Sequence, residues 1–162
     1  MGKLQFLVPL MLLGGIAGAD TKSDIQKIYN QVSSATLKLD GDGLVKVMME
    51  NSTKDFMYYV TGGKQNRTEF VSMMKAQMPS MKGVKRADLK IVSLKQTGNT
   101  AVVVVNSHYE LTMVMPGSPK PQTIVSKQTT NDTWVKEGSK WKLKEMKVVK
   151  ENTTTNGKPP KG

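Results

Sequence analysis

Acid–base chemistry in this 162-residue chain has few side chains to run through: one histidine, thirteen carboxylates and four tyrosines, with no cysteine. The missing thiol removes thiolate nucleophiles and thiolate metal sites. No H-E-x-x-H, phosphate-binding glycine loop or nucleophile elbow occurs, so no tightly held metal, nucleotide or other cofactor is expected. His108 sits in an alternating run in which Asn106 and Glu110 share its parity, whereas Ala101, Val103, Val105, Tyr109 and Leu111 form the more apolar set. Alternation along a strand turns His108 away from an apolar interior. One histidine without an evident partner is a poor general base, and it reads as a structural or interface residue. Asp132 is different. It shares parity with Ile124, Ser126, Gln128 and Trp134, and on a concave face it would be a pocket carboxylate and the best catalytic candidate. The competing reading is a structural carboxylate bonded to nearby backbone or lysine. Tyr59 and Tyr109 are assigned, with Asp132 and Trp134, to the wall of a ligand pocket; Tyr29 and Tyr58 read as core.

Met73, Met74, Met78 and Met81 cluster at the end of a predicted helix. Thioethers bind Cu(I), yet the same spacing describes a core face, and Pro79 spoils the helical geometry between Met78 and Met81. Core packing is the better account, and no metal site is assigned. Asn51, Asn66, Asn131 and Asn152 open N-x-[ST] sequons, which matter only in a eukaryotic secretory pathway.

The elements that must position these groups can be read from periodicity. Ser23 with Gln26 predicts a capping box, and Ile25, Ile28, Tyr29, Val32 and Leu39 then follow at helical spacing. Asp40-Gly41-Asp42-Gly43 predicts a turn, then a second helix capped by Asp42 with Leu44, Val47 and Met48 inward. A short strand, Phe56 to Val60, closes at Gly62-Gly63. Asn66 with Glu69 predicts the cap of a third helix that Pro79 ends. Beyond residue 84 the period becomes two. Strands are predicted over Lys85–Gln96, Thr100–Met115, Gln122–Lys136 and Lys140–Lys150, with hairpin signals that predict an antiparallel meander. A straight strand from Thr100 to Met115 would span roughly 50 Å at about 3.3 Å per residue, so it must bend and the sheet must curl. Three helices ahead of a curled sheet leave a concave space between the layers.

Both ends of the chain read as something other than fold. Lys3, the apolar stretch Leu4 to Leu13 and Ala17-Gly18-Ala19 before Asp20 form a tripartite leader, residues 1–19, too short to span a bilayer. No cysteine follows that could carry a lipid. The chain is expected to be exported, periplasmic or secreted, with one domain over 20–150 and a disordered basic tail over 151–162. Without cysteine it holds together by its core alone. The formal charge of +11 at pH 7 is spread thinly and lacks interleaved exposed aromatics, which argues against specific nucleic-acid binding and for weak attraction to anionic cell-surface polymers.

The element order, the Leu39-Asp40-Gly41-Asp42-Gly43-Leu44 link and the closing Asp132-Thr133-Trp134 … Gly138-Ser139-Lys140-Trp141 hairpin resemble the nuclear transport factor 2-like superfamily, in particular its SnoaL-like branch. The resemblance implies an α+β, cone-shaped fold, with three N-terminal helices packed on a curved antiparallel sheet, a pocket at the wide end and dimers through the sheet. Val102, Val104 and Val114, on the face opposite the core, suit such a homodimer. A steroid-isomerase-like site would place a tyrosine at Ala35, a carboxylate at Tyr59 and an acid at Asn131, so its first two roles look vacant. The resulting expectation is non-catalytic binding of a small, partly apolar molecule in the cone. The alternatives are an isomerase, dehydratase or cyclase using Asp132, or an interaction module with a filled cone.

Overall fold

The computed structural model describes residues 14–118 and 120–159, with side chains from residue 18 onward. Residues 1–13 of the expected leader and 160–162 of the expected tail lie outside them. The elements are α1 (Gly14–Leu37), α2 (Gly41–Asn51), β1 (Ser52–Val60), β2 (Gly63–Asn66), α3 (Arg67–Gln77), a 3-10 turn (Met78–Ser80), β3 (Met81–Thr97), β4 (Thr100–Met113), β5 (Gln122–Glu137) and β6 (Lys140–Thr155).

Helix α1 runs straight through Ser23, so the expected Ser23–Gln26 capping box does not form. Gln26 has another use. Its Nε2 donates to the Leu89 carbonyl at 2.8 Å, and its Oε1 accepts from the Ile91 N–H at 3.1 Å. β3 is an edge strand of the sheet, and this one amide side chain satisfies a donor and an acceptor that a further strand would otherwise pair. Helix α1 ends at Leu37, and Leu39 turns out of it at φ +55°. The cap of α2 is Asp40 rather than Asp42: its carboxylate accepts from the Gly43 N–H at 2.8 Å. A Cβ at Gly43 would collide with that carboxylate, which explains the glycine. The Asn66–Glu69 capping box of α3 is complete in both directions.

The sheet order is β2-β1-β6-β5-β4-β3. The four long strands form the expected antiparallel meander, while β1 joins β6 in parallel. The β4–β5 register is unbroken, so the expected bend is not made by bulges there. Irregularities fall instead in β3 against β4, at Met81/Gly83, Val84/Arg86 and Ile91/Ser93, and in β5 against β6, at Thr129/Thr130 and Thr133/Trp134. Extra residues on the flanking strands curl the sheet around the straight pair. Glu151 to Thr155, expected as disordered tail, instead continue β6 and pair with Ile124 to Gln128. Their short polar side chains suit one half-wet face of a strand, and the backbone ladder holds them without large apolar groups.

Ile25, Tyr29, Phe56, Val103, Val105 and Trp134 are buried between helices and sheet. Gln26→Ala should strand the Leu89 carbonyl and the Ile91 N–H and lower unfolding stability by about 1–3 kcal/mol. Chemical denaturation checks this, and loss of hydrogen-exchange protection at Ile91 localises it.

Candidate functional site

The inner faces of β4 and β5 carry a polar strip, Ser107, Ser126, Gln128 and Thr130, and the helices facing it present Val32, Leu44, Met48, Phe70 and Met74. Between them the cone is open, with a cavity of about 250 Å³. Asp132 lines it and is fully buried. The α1 spacing of Ile25, Tyr29, Val32 and Thr36 aims Tyr29 at this carboxylate. The Tyr29 hydroxyl donates to Asp132 Oδ2 at 2.5 Å and accepts from Trp134 Nε1 at 3.1 Å. The Tyr29 and Trp134 rings meet edge-on, 5.6 Å between centroids at 84°. Among the described residues Asp132 Oδ1 has no hydrogen-bond partner, the Thr130 hydroxyl acting on the carboxylate only weakly. A bare carboxylate oxygen at a largely apolar cavity is a costly arrangement.

Electrostatics follow from that burial. Removal from water pushes the Asp132 carboxyl up to about 6, against the opposing pull of the Tyr29 hydroxyl and, more weakly, of Thr130. Tyr29 is held well above the usual phenol range by its own burial and then by the adjacent Asp132 charge. Tyr109 is raised by burial and by Tyr58 and Asp132. Among the described residues, Asp132 is the one carboxylate lining the cavity, and no histidine lines it. No group of three or more histidines, cysteines or carboxylates that could hold a metal occurs among them.

Of the residues assigned to the pocket wall, Tyr109, Asp132 and Trp134 line the cavity. Tyr59 does not. Tyr58 is the cavity tyrosine of β1, and alternation sends Tyr59 to the outer face, beside Lys147 and Lys64 in register. His108 is also on the outer face: Arg86 Nη1 lies 3.2 Å from Nδ1, and Glu110 Oε1 lies 3.5 Å from Nε2. Three contributions escaped the sequence reading. Tyr29 fits the helical core stripe and gives no separate signal. Glu151 and Thr153 were expected in the tail, yet Gln128 donates to Glu151 at 3.1 Å and Thr153 donates to Ser126 at 3.0 Å. Met48, Met74, Met78, Met81 and Met146 come from five different elements to line one cavity.

No family model and no curated protein sequence matches the chain. Solved structures do. A candidate scytalone dehydratase from Novosphingobium aromaticivorans aligns with TM-score 0.69 at 14% identity, over 84% of this chain and 87% of that one. The type 2 hexachlorocyclohexane dehydrochlorinase LinA aligns with TM-score 0.66 at 11% identity, over 88% and 95%. A protein of unknown function from Prochlorococcus, described as NTF2-like, aligns with TM-score 0.60 at 18% identity, over 79% and 91%. The chain has the nuclear transport factor 2-like fold. On α1 it is Tyr29, nearly two turns before Ala35, that reaches Asp132.

Asp132 fixes a pH dependence whose sign can be worked out. Its folded pKa is raised, so the folded chain holds the proton more tightly than the unfolded chain. The associated stability is complete below about pH 4, falls as pH rises to about 6, and is level above that. The span corresponds to about 3 kcal/mol. Asp132→Asn should therefore gain stability relative to the parent between pH 4 and pH 7, which paired denaturant melts across that range will show. Tyr29→Phe should raise the Asp132 pKa further and cost about 1–3 kcal/mol through the unpaired Trp134 N–H; carboxyl NMR titration reads the first effect.

Proposed function

We propose that the chain is an exported protein that binds a small, largely apolar molecule in the cone and holds it by one hydrogen bond that the ligand donates to Asp132. The observation that carries this reading is the unpartnered Asp132 Oδ1 in a cavity whose remaining wall is mostly apolar. A donor from the ligand would supply the bond that oxygen lacks. The lining methionines adapt to ligand shape. Non-catalytic binding is favoured because, among the described residues, no histidine and no second carboxylate lines the cavity, and burial raises the lining tyrosines Tyr29, Tyr58 and Tyr109 further above neutral pH.

A second reading is supported by the Asp132 carboxyl at about 6, close to where a general base works best. Asp132 would take a proton from a ligand carbon, the C–H pair would form a double bond, and a leaving group would depart with its own pair. The names of two structural neighbours, a dehydratase and a dehydrochlorinase, denote eliminations of this kind. Self-association through Val102 and Val104 at one end of the outer sheet face, where Val102 is 45% exposed, belongs to the same proposal.

A thermal-shift screen and native mass spectrometry should find a ligand. Asp132→Asn should weaken its binding at least about tenfold, the equivalent of one lost charged hydrogen bond, and His108→Gln should leave it unchanged. Turnover by the parent that Asp132→Asn abolishes would select the enzyme reading. The reverse pattern between the two variants would remove Asp132 from the site. Intact-mass analysis of the exported protein should give Asp20 as first residue, and retained Met1 would reject cleavage after Ala19.

A further inference from the structure

A second concavity, of about 680 Å³, lies on the outer face of the sheet, with Ser107 and Gln128 bordering both it and the cone. Register across β3, β4, β5 and β6 sets Lys90, Asn106, Thr129 and Lys150 in one row, and Asp88, His108, Lys127 and Asn152 in the next. Lys90, Lys127 and Lys150 are exposed, and among the described residues none of them makes an ion pair. The carboxylate of this concavity, Asp88, is taken by Arg86 at 3.0 Å. Thr129 donates to Asn106 Oδ1 at 2.9 Å, which leaves the Asn106 amide N–H groups as donors. The result is three free ammonium groups around a floor of amides and hydroxyls.

We infer that this groove holds a segment of an acidic polysaccharide, with its carboxylate or sulfate groups on Lys90, Lys127 and Lys150 and its hydroxyls on Asn106, Thr129 and Asn152. Charge complementarity selects an anion, and the polar floor selects one rich in hydroxyls. Other polyanions fit less well. An extended acidic peptide binds sheets by pairing with a free edge, but β4, β5 and β6 are interior strands. Duplex nucleic acid is held by many phosphate contacts along its length, and three lysines in one short groove supply few. Single strands need successive stacking platforms, and the aromatic on this face is Tyr59, out beyond Lys147 on β1. A second copy laid over the groove would set these lysines against their own counterparts, so a dimer contact has to lie toward Val102. The inference is independent of what the cone binds.

Fluorescence anisotropy with labelled polygalacturonate and with dextran sulfate tests it, with neutral dextran, single-stranded DNA and polyglutamate alongside. Both acidic polysaccharides should bind, salt should weaken them, and neutral dextran should not bind. The triple variant Lys90→Gln, Lys127→Gln, Lys150→Gln should bind about tenfold or more weakly. Lys22→Gln, Lys46→Gln, Lys75→Gln, the same charge change on the helical side, should stay within about twofold of the parent. If the groove triple melts early, the three single variants carry the comparison. Absence of binding to both acidic polysaccharides, equal losses in the two triples, or tighter binding of DNA or polyglutamate through the same lysines would each overturn the inference.

Discussion

A carboxylate taken out of water needs donors, and the architecture around Asp132 provides one strong donor, Tyr29, and a weaker one, Thr130. Tyr29 gives its hydroxyl to Oδ2, and Trp134 steadies the same hydroxyl from the other side. This chain of two hydrogen bonds links α1 to β5 across the layer between helices and sheet. It fixes the rotation of α1, because a turn of the helix by one residue would swing Tyr29 away by about 100° and leave two buried polar groups unsatisfied. Position of the helix and chemistry of the cavity are therefore one problem. The same contact that sets the packing leaves Oδ1 bare.

The sheet separates two chemistries by parity alone. Inward positions of β4 and β5 run from fully buried Ala101 and Val103 to the cavity residues Ser107 and Tyr109, while outward positions carry asparagine, threonine, lysine and histidine. A one-residue slip would exchange the faces. The unbroken β4–β5 register prevents that, and the irregularities of the sheet fall on β3, β6 and β1 instead. Curvature is thus obtained without disturbing the pair of strands on which both concavities are built.

Much of this was legible in the residues. Period-two alternation gave the four long strands and the outward turn of His108, because one buried face imposes a strict pattern. Asp132 could be placed for the same reason. Tyr59 could not: β1 is short, and Tyr58-Tyr59 offers an aromatic to either face, so only pairing with β6 decides between them. Tyr29 was hidden because a tyrosine on a helix stripe looks the same whether its hydroxyl meets a carboxylate or not. Ser23 misled because a capping pattern is meaningful only at a helix end, and Ser23 lies inside α1. Glu151 to Thr155 lacked apolar groups, and a strand held by its backbone ladder leaves little trace in composition.

β6 lies between β1 and β5, yet it is the last strand in the chain. The hairpin of β1 and β2 and the meander of β3, β4 and β5 are two separate pieces of sheet until it arrives. Its parallel pairing with β1 joins residues about ninety positions apart, a loop whose closure must precede any gain from the contact. Such topology makes for slow, late-committing folding. A chain still lacking its final strand would have neither a continuous sheet nor a floor to the cone, so the cavity and the sheet come into being in a single closing step.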